Sequence, residues 1–209
     1  METHGTKQVD ATHYDFARYV KMDRWSSYHY QITETLALSP KDLLEVGGGD
    51  GVLRSYIKAH TNIAYRSLDV AEDLHPDILG GVEAIPLPDA SVDCVVAFEV
   101  LEHLPFDRFS CALSEIARVT KKHAIISLPH FGPPVKFLLK LPFLPEIRFA
   151  WKVPFKKVHE WNGEHYWEIG KKGYAPHVIR EAVEKYFTVK KEYVPFENQY
   201  HHFFILGKK

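Results

Sequence analysis

The feature that most constrains the chain is the stretch DLLEVGGGDGVL, residues 42–53. An apolar run of Leu43, Leu44 and Val46 stops at Gly47, Gly48 and Gly49, Asp50 and Gly51 follow, and helix-compatible residues resume at Val52. That order reads as strand, tight turn, helix. Backbone without Cβ atoms lets a ligand lie against the main chain, beside the positive end of the helix that follows. Spacing separates two users of such a turn. The dinucleotide fingerprint G-x-G-x-x-G/A needs a small third residue so that helix and strand can pack closely. Counting from Gly47 and Gly49 puts Val52 there, and counting from Gly48 puts Asp50 and Leu53 at the second and third places, so both frames fail. The glycines fall instead at 47, 49 and 51, led by Glu45.

The rest of the chain alternates strand and helix around this turn. Residues 52–59 read as the first helix, and 63–70, IAYRSLDV, as a second strand ending in Asp69, twenty residues past Gly49. A carboxylate at that place has two oxygens with which to accept from both ribose hydroxyls of an adenosine. Ile78 and Leu79 suit a short third strand. Val92 and Cys94 to Ala97 form a nearly continuous apolar fourth strand, the pattern of a sheet covered on both faces. Phe98 and Glu99 follow at its C-terminal end, where open parallel sheets bind ligands. Phe109, Leu113, Ile116 and Val119 space an amphipathic helix over 107–120, Lys121 to His123 read as a turn, and AIISLP makes a fifth strand that delivers His130 to the same rim. A helix from Ala175 to Tyr186 and strands over 187–194 and 200–206 complete the order.

The E-x-G-x-G-x-G pattern from Glu45 resembles motif I of the class I S-adenosylmethionine-dependent methyltransferases. The run VEAIPLPDASVDCVVAFEVLEHLP, residues 82–105, is similar to the corresponding segment of the ubiquinone/menaquinone-biosynthesis type, the methyltransferase type 11 group. RVTKKHAIISLP also looks like that family's approach to strand five, with Lys122 and His123 replacing its usual Pro-Gly. The resemblance implies a single α/β domain over residues 1–209. Its Rossmann-like sheet has seven strands in the order 3-2-1-4-5-7-6, strand seven antiparallel, with helices on both faces. It implies S-adenosyl-L-methionine as cofactor and S-adenosyl-L-homocysteine as product. Gly47, Gly48, Gly49 and Gly51 would take the methionine end, Glu45 would lie near its ammonium, Asp69 would hold the ribose, and Phe98 and Glu99 would line the pocket. Gly81 stands where the family usually has an aspartate, which moves the adenine contact to Val82 and Glu83. His103, in the E-H-L turn, and His130 are the candidates for contact with the acceptor or for taking its proton.

Two segments lie outside this frame. Residues 10–38 carry apolar and aromatic side chains at helical spacing, among them Phe16, Tyr14, Tyr19 and Tyr28, and read as an N-terminal helical cap. Residues 131–174 are too long for an ordinary connection and hold five prolines with many aromatics. They read as a lid-like insertion whose Phe131, Phe137, Trp151, Trp161, Tyr166 and Trp167 wall an acceptor pocket. His159, Trp161, His165 and Tyr166 are its candidate substrate contacts. VKFLLKLPFLPEIRF within it, interrupted by Lys136, Lys140 and Arg148, has the composition of short membrane-surface helices, which makes a lipid-linked acceptor a lesser expectation.

Composition narrows the function. A length of 209 residues with 45% hydrophobic content suits one core, and a formal net charge of -1 argues against a nucleic-acid partner. Cys94 and Cys111 make no disulfide framework or zinc spacing and read as core residues. The 13 histidines show no metal-ligand spacing, and the adjacent His201 and His202 face opposite sides of a strand, so no metal site is expected. METHGTKQVD lacks a basic region followed by an apolar one, and no apolar run is long enough to span a membrane, so the expectation is a cytoplasmic protein. The function expected is methyl transfer to a small-molecule or glycan-type acceptor. The alternatives are a methyltransferase acting on RNA or protein and a non-catalytic adenosylmethionine-binding partner subunit.

Overall fold

The computed structural model describes residues 14–15, 19–155 and 157–209, so the part of the N-terminal cap at 10–13, with Phe16, lies outside the described residues. The strands β1 (Asp42–Val46), β2 (Ala64–Asp69), β3 (Ile78–Leu79), β4 (Val92–Phe98), β5 (Thr120–Pro129), β8 (Phe187–Tyr193) and β9 (His201–Lys208) form one seven-stranded sheet. Its order is β3-β2-β1-β4-β5-β9-β8. All neighbouring pairs up to β5 are parallel, and β9 runs antiparallel to both β5 and β8. In sheet-strand terms this is the expected 3-2-1-4-5-7-6 arrangement.

Helices cover both faces, as the nearly continuous apolar β4 requires: every one of its residues is buried. Among the described residues four α-helices flank the sheet, α1 (Met22–Ala37), α2 (Val52–His60), α3 (Phe106–Val119) and α4 (Pro176–Glu184). On one face Phe109, Leu113 and Ile116 of α3 and Ile179 and Val183 of α4 pack on Leu44, Val95 and Ile126. On the other Leu53 and Ile57 of α2 pack on Leu43, Cys94 and Ile125, with Tyr30, Ile32 and Leu36 of α1 beside them.

The structure corrects four local expectations. Lys121 to His123 are strand, because α3 ends at Val119 and runs straight into β5, where His123 pairs with Cys94 and with Gly207. Cys111 is exposed on α3 rather than in the core, while Cys94 is buried. Residues 134–152 form an antiparallel hairpin, β6 (Pro134–Leu139) and β7 (Ile147–Lys152), instead of short helices. Its prolines sit where a sheet tolerates them, Pro134 opening β6 and Pro142 and Pro145 in the connection. After the hairpin the chain returns to the body. The main chain of Ile169 bonds that of Pro129 and Phe131, and Trp167, expected in a pocket wall, is fully buried against Phe106 and Phe109.

Beneath the glycine turn, Glu45 is buried and accepts a hydrogen bond from the Tyr65 hydroxyl of the neighbouring strand. Burial pushes its carboxyl pKa up to about 8. A carboxyl whose folded value lies above its unfolded value contributes most stability below about pH 4.3 and loses it as pH rises through its folded value. Wild-type stability should therefore fall relative to Glu45→Gln between about pH 5 and pH 8. Denaturant midpoints of both proteins at four pH values check this; parallel curves would refute it.

Candidate functional site

The turn after β1 has the conformation its glycines permit. Gly47, Gly49 and Gly51 have φ of 71°, 48° and 72°, values that side-chain-bearing residues rarely adopt. Gly47 has a second reason: a Cβ there would overlap Cγ2 of Val100, in the loop after β4. Gly51 then opens α2, so the bare turn and the helix's positive end share one place. Gly48 lies between Arg54 and Glu45, which would stand 3.7 and 3.8 Å from a Cβ at position 48. Asp69 ends β2 beside this turn, its carboxylate accepting from the Ala71 N–H at 2.9 Å and held also by the Gly48 N–H. The strand ends thus bring Gly47–Gly51, Asp69 and Glu45 together as the motif suggests.

The N-terminal segment lies over the same turn. The Tyr14 ring is 3.5 Å from where a Gly49 Cβ would stand, and it meets Tyr19 edge-on with centroids 5.0 Å apart. Tyr28 of α1 donates to Asp50. Burial raises the phenol pKa of all three tyrosines, so they stay neutral and act as donors and apolar walls. Arg24 lies over the Tyr19 ring at 4.2 Å.

The adenine-side candidates take other partners. Val82 is buried in the core beside α3, and the Glu83 carboxylate turns to Arg108 of α3 at 3.4 Å. Phe98 packs on Phe203, centroids 6.1 Å apart. Glu99 follows with φ of 55°, its N–H donating to the Ser127 carbonyl at 3.1 Å and its carboxylate accepting from Ser127 Oγ at 2.8 Å. It also faces His201 at 3.6 Å, and burial pushes its pKa up to about 7.

The loop after β4 makes a single turn of 3-10 helix at Leu101–His103 that carries Glu102 and His103. His165 arrives there from the returning segment, anchored by the Tyr166 N–H to the Glu102 carbonyl at 2.9 Å. Sequence spacing gathers no histidine–carboxylate group, but the fold brings Glu102, His103 and His165 together. The E-x-x-E-H spacing was the one available sign, and nothing in sequence marks His165, more than sixty residues later, as its neighbour.

Other candidates lie apart. His159 contacts the His165 carbonyl at 2.7 Å and Lys171 at 3.2 Å, and Trp161 packs on Tyr166 with centroids 4.4 Å apart. His130 pairs with His202 through their Nδ1 atoms at 3.0 Å, and burial pushes its pKa down to about 3. It lines a cavity of about 640 Å³ between α1, the hairpin base and the loop before β9, walled also by Phe131, Lys152, Phe155 and Tyr200. Tyr200 was not singled out from sequence. Its hydroxyl lies 3.5 Å from His165, so one side chain borders both the cavity and the Glu102 group.

The family described as Methyltransferase domain matches residues 44–128. A Mycolicibacterium smegmatis protein named a probable S-adenosylmethionine-dependent methyltransferase is 34% identical over 98 residues, 38% of this chain. The chain spans about a third of that relative's length, 35%. The magnesium protoporphyrin IX methyltransferase of Synechocystis PCC 6803, solved with S-adenosylhomocysteine bound, superposes with a TM-score of 0.61 at 12% identity, over 93% of this chain and 88% of its own. A 4+2 cyclase superposes with a TM-score of 0.60 at 11% identity, over 88% of this chain and 82% of its own, so one fold carries more than one chemistry. Residues 44–128 carry the match to the methyltransferase-domain family, and the described chain has the class I S-adenosylmethionine-dependent methyltransferase fold.

Proposed function

We propose that the protein binds S-adenosyl-L-methionine at the Gly47–Gly51 turn and transfers its methyl group to a small-molecule or glycan-type acceptor, releasing S-adenosyl-L-homocysteine. The observation that carries this reading is the bare turn at the start of α2 with the Asp69 carboxylate held beside it. Those residues suit the cofactor: backbone N–H groups and the helix end for its carboxylate, Glu45 for its ammonium, Asp69 for its ribose, and the Tyr14 ring as a cover. The bound cofactor supplies an activated methyl on a cationic sulfur. What the chain contributes is position, and orientation alone is worth roughly 7 to 11 kcal/mol of barrier in such transfers.

The 640 Å³ cavity supports an acceptor of small-molecule size. His130 on its wall is left a weak base by burial, its pKa near 3 being far from neutral pH, so it suits shaping the acceptor site better than taking a proton there. A cytoplasmic setting is supported by two cysteines that are both free thiols. No helix among the described residues is long and apolar enough to cross a membrane.

The hairpin favours a lipid-linked member of that acceptor class. Every residue of β6 is exposed, and Phe137, Leu138, Leu141, Phe143, Leu144, Ile147, Phe149 and Trp151 present apolar surface on both of its sides. An apolar surface of this kind marks a contact with lipid or with another molecule, and Lys140 near the tip suits an anionic lipid surface.

Two measurements follow. Calorimetric titration should show micromolar binding of S-adenosylmethionine and S-adenosylhomocysteine, with no binding of NAD, and Asp69→Ala should weaken it about ten- to hundredfold; folded wild-type protein that binds neither would sink the reading. Co-sedimentation with vesicles containing phosphatidylglycerol should capture the protein, and Phe143→Glu combined with Leu144→Glu should abolish capture without changing its circular dichroism. Wild-type protein left in the supernatant would assign the hairpin to a protein partner instead.

A further inference from the structure

Glu102, His103 and His165 each offer one ligand atom, and these atoms lie within 4.8 Å of one another. Glu102 Oε1 is 4.0 Å from His103 Nε2 and 3.9 Å from His165 Nε2, too long for hydrogen bonds, so the three do not satisfy each other. Both imidazoles are oriented from behind. His103 Nδ1 lies 3.0 Å from the Glu164 carbonyl, and His165 Nδ1 lies 3.5 Å from Glu168 Oε1. A proton on each Nδ1 puts the lone pair on Nε2, the atom turned toward Glu102. Metal-binding histidines are held in this way, the far nitrogen donating to a carbonyl or carboxylate and the near one coordinating.

Glu102 supplies the second, independent observation. It is fully buried, and neither of its carboxylate oxygens has a hydrogen-bond partner. Among the described residues the charged or chargeable groups of opposite sign within 4.0 Å are those two histidines. Native structures rarely leave a buried carboxylate in that condition unless something else completes it. Glu99 and Glu168 add negative potential nearby, and each has its own partners, Ser127 for the first and His165 and Lys171 for the second.

We propose that Glu102, His103 and His165 bind one divalent first-row transition cation, of the zinc or manganese kind, with an open position for a hydroxyl oxygen of the methyl acceptor. Two imidazoles and one carboxylate are a donor set suited to such ions, and three protein ligands leave room for a further one. The site lies where an acceptor is needed. Val100, between Glu99 and Glu102, touches the glycine turn, and Tyr200 links His165 to the 640 Å³ cavity. The acceptor's role rests on the methyl-transfer reading; cation binding does not. In the transfer, the coordinated hydroxyl ionises and its proton leaves to water. The oxygen then bonds the methyl carbon while the methyl–sulfur bond breaks with its electron pair to sulfur. A methyl ether, a neutral thioether and one proton result, with no oxidant or reductant.

The test is calorimetric titration of chelator-treated full-length protein with Zn²⁺ and with Mn²⁺ separately, with S-adenosylmethionine binding measured on the same samples. One ion should bind per chain, and Glu102→Gln and His165→Ala should each weaken it about a hundredfold or more, while His177→Ala, at an exposed position of α4, leaves it unchanged. Glu102→Gln keeps the size and shape of the side chain, so its thermal midpoint should stay close to that of wild type in the absence of metal, which separates lost binding from misfolding. Bound Mn²⁺ should enhance water-proton relaxation, the mark of an exchangeable ligand in the open position. Protein that binds S-adenosylmethionine but neither ion, or that binds ions equally well in every variant, would overturn the proposal. Loaded Mn²⁺ without relaxation enhancement would overturn the open position. Ion binding in protein that takes no S-adenosylmethionine would uphold the cation site and remove the methyl-transfer reading instead.

Discussion

The ligand rim depends on one steric condition, the absence of a Cβ at position 47. The space it would fill holds the Val100 side chain, so bareness of the first turn is what lets the loop after β4 close against it. Glu99, Glu102 and His103 flank Val100 in sequence, and the turn they make carries all three to the same rim. The loop is held in a backbone shape that costs energy, since Glu99 has φ of 55°. Ser127 of β5 holds that strain in place, bonding both the main chain and the carboxylate of Glu99. The glycine turn and the acidic loop are therefore one steric unit spanning β1, β4 and β5.

That unit buries carboxylates in three different states of satisfaction. Glu45 has the Tyr65 hydroxyl, Glu99 has Ser127 and the nearby His201, and Glu102 has no hydrogen-bond partner. Burial drives all three toward the protonated form, and at Glu102 repulsion from Glu99 adds to it. A sheet of this kind does not need such groups for stability, because its core is already continuous on both faces. Charges costly to bury and unnecessary to the fold are what a site for ligands looks like.

Much of the fold was legible because it rests on local signals. The glycine turn, the apolar β4 and the helical spacing of α3 each announce themselves within a dozen residues, and the sheet order followed from the resemblance. The errors share a cause as well. Lys121 to His123 look like a turn by composition, yet they are strand because β4 and β9 offer partners on both sides, which is a tertiary fact. Cys111 lies beside the apolar stripe of α3 but falls on its outer edge. The Glu102 group was hidden for a different reason. Its third member joins only because the chain returns past β5, with Ile169 bonding Pro129 and Trp167 entering the core. No local periodicity encodes a meeting between residues 102 and 165.

The insertion divides by chemistry at that return. Residues 167–169 belong to the body, whereas the hairpin before them buries none of β6. An isolated two-stranded hairpin is marginal in water, so its apolar side chains gain nothing from the core they do not touch. They remain intelligible only against a surface supplied from outside. The base of the hairpin is not free, however: Lys152 donates to the His130 carbonyl, Lys136 donates to the Glu197 carbonyl at 3.0 Å, and both lysines line the cavity. Whatever the tip rests on is thereby held at the cavity's edge, and an acceptor delivered from that surface would enter between Lys136, Lys152 and Tyr200 on its way to His165. An apolar hairpin and a polar acid–histidine cluster have no common purpose as packing; on the proposed reading they are the two ends of a path for an amphiphilic acceptor.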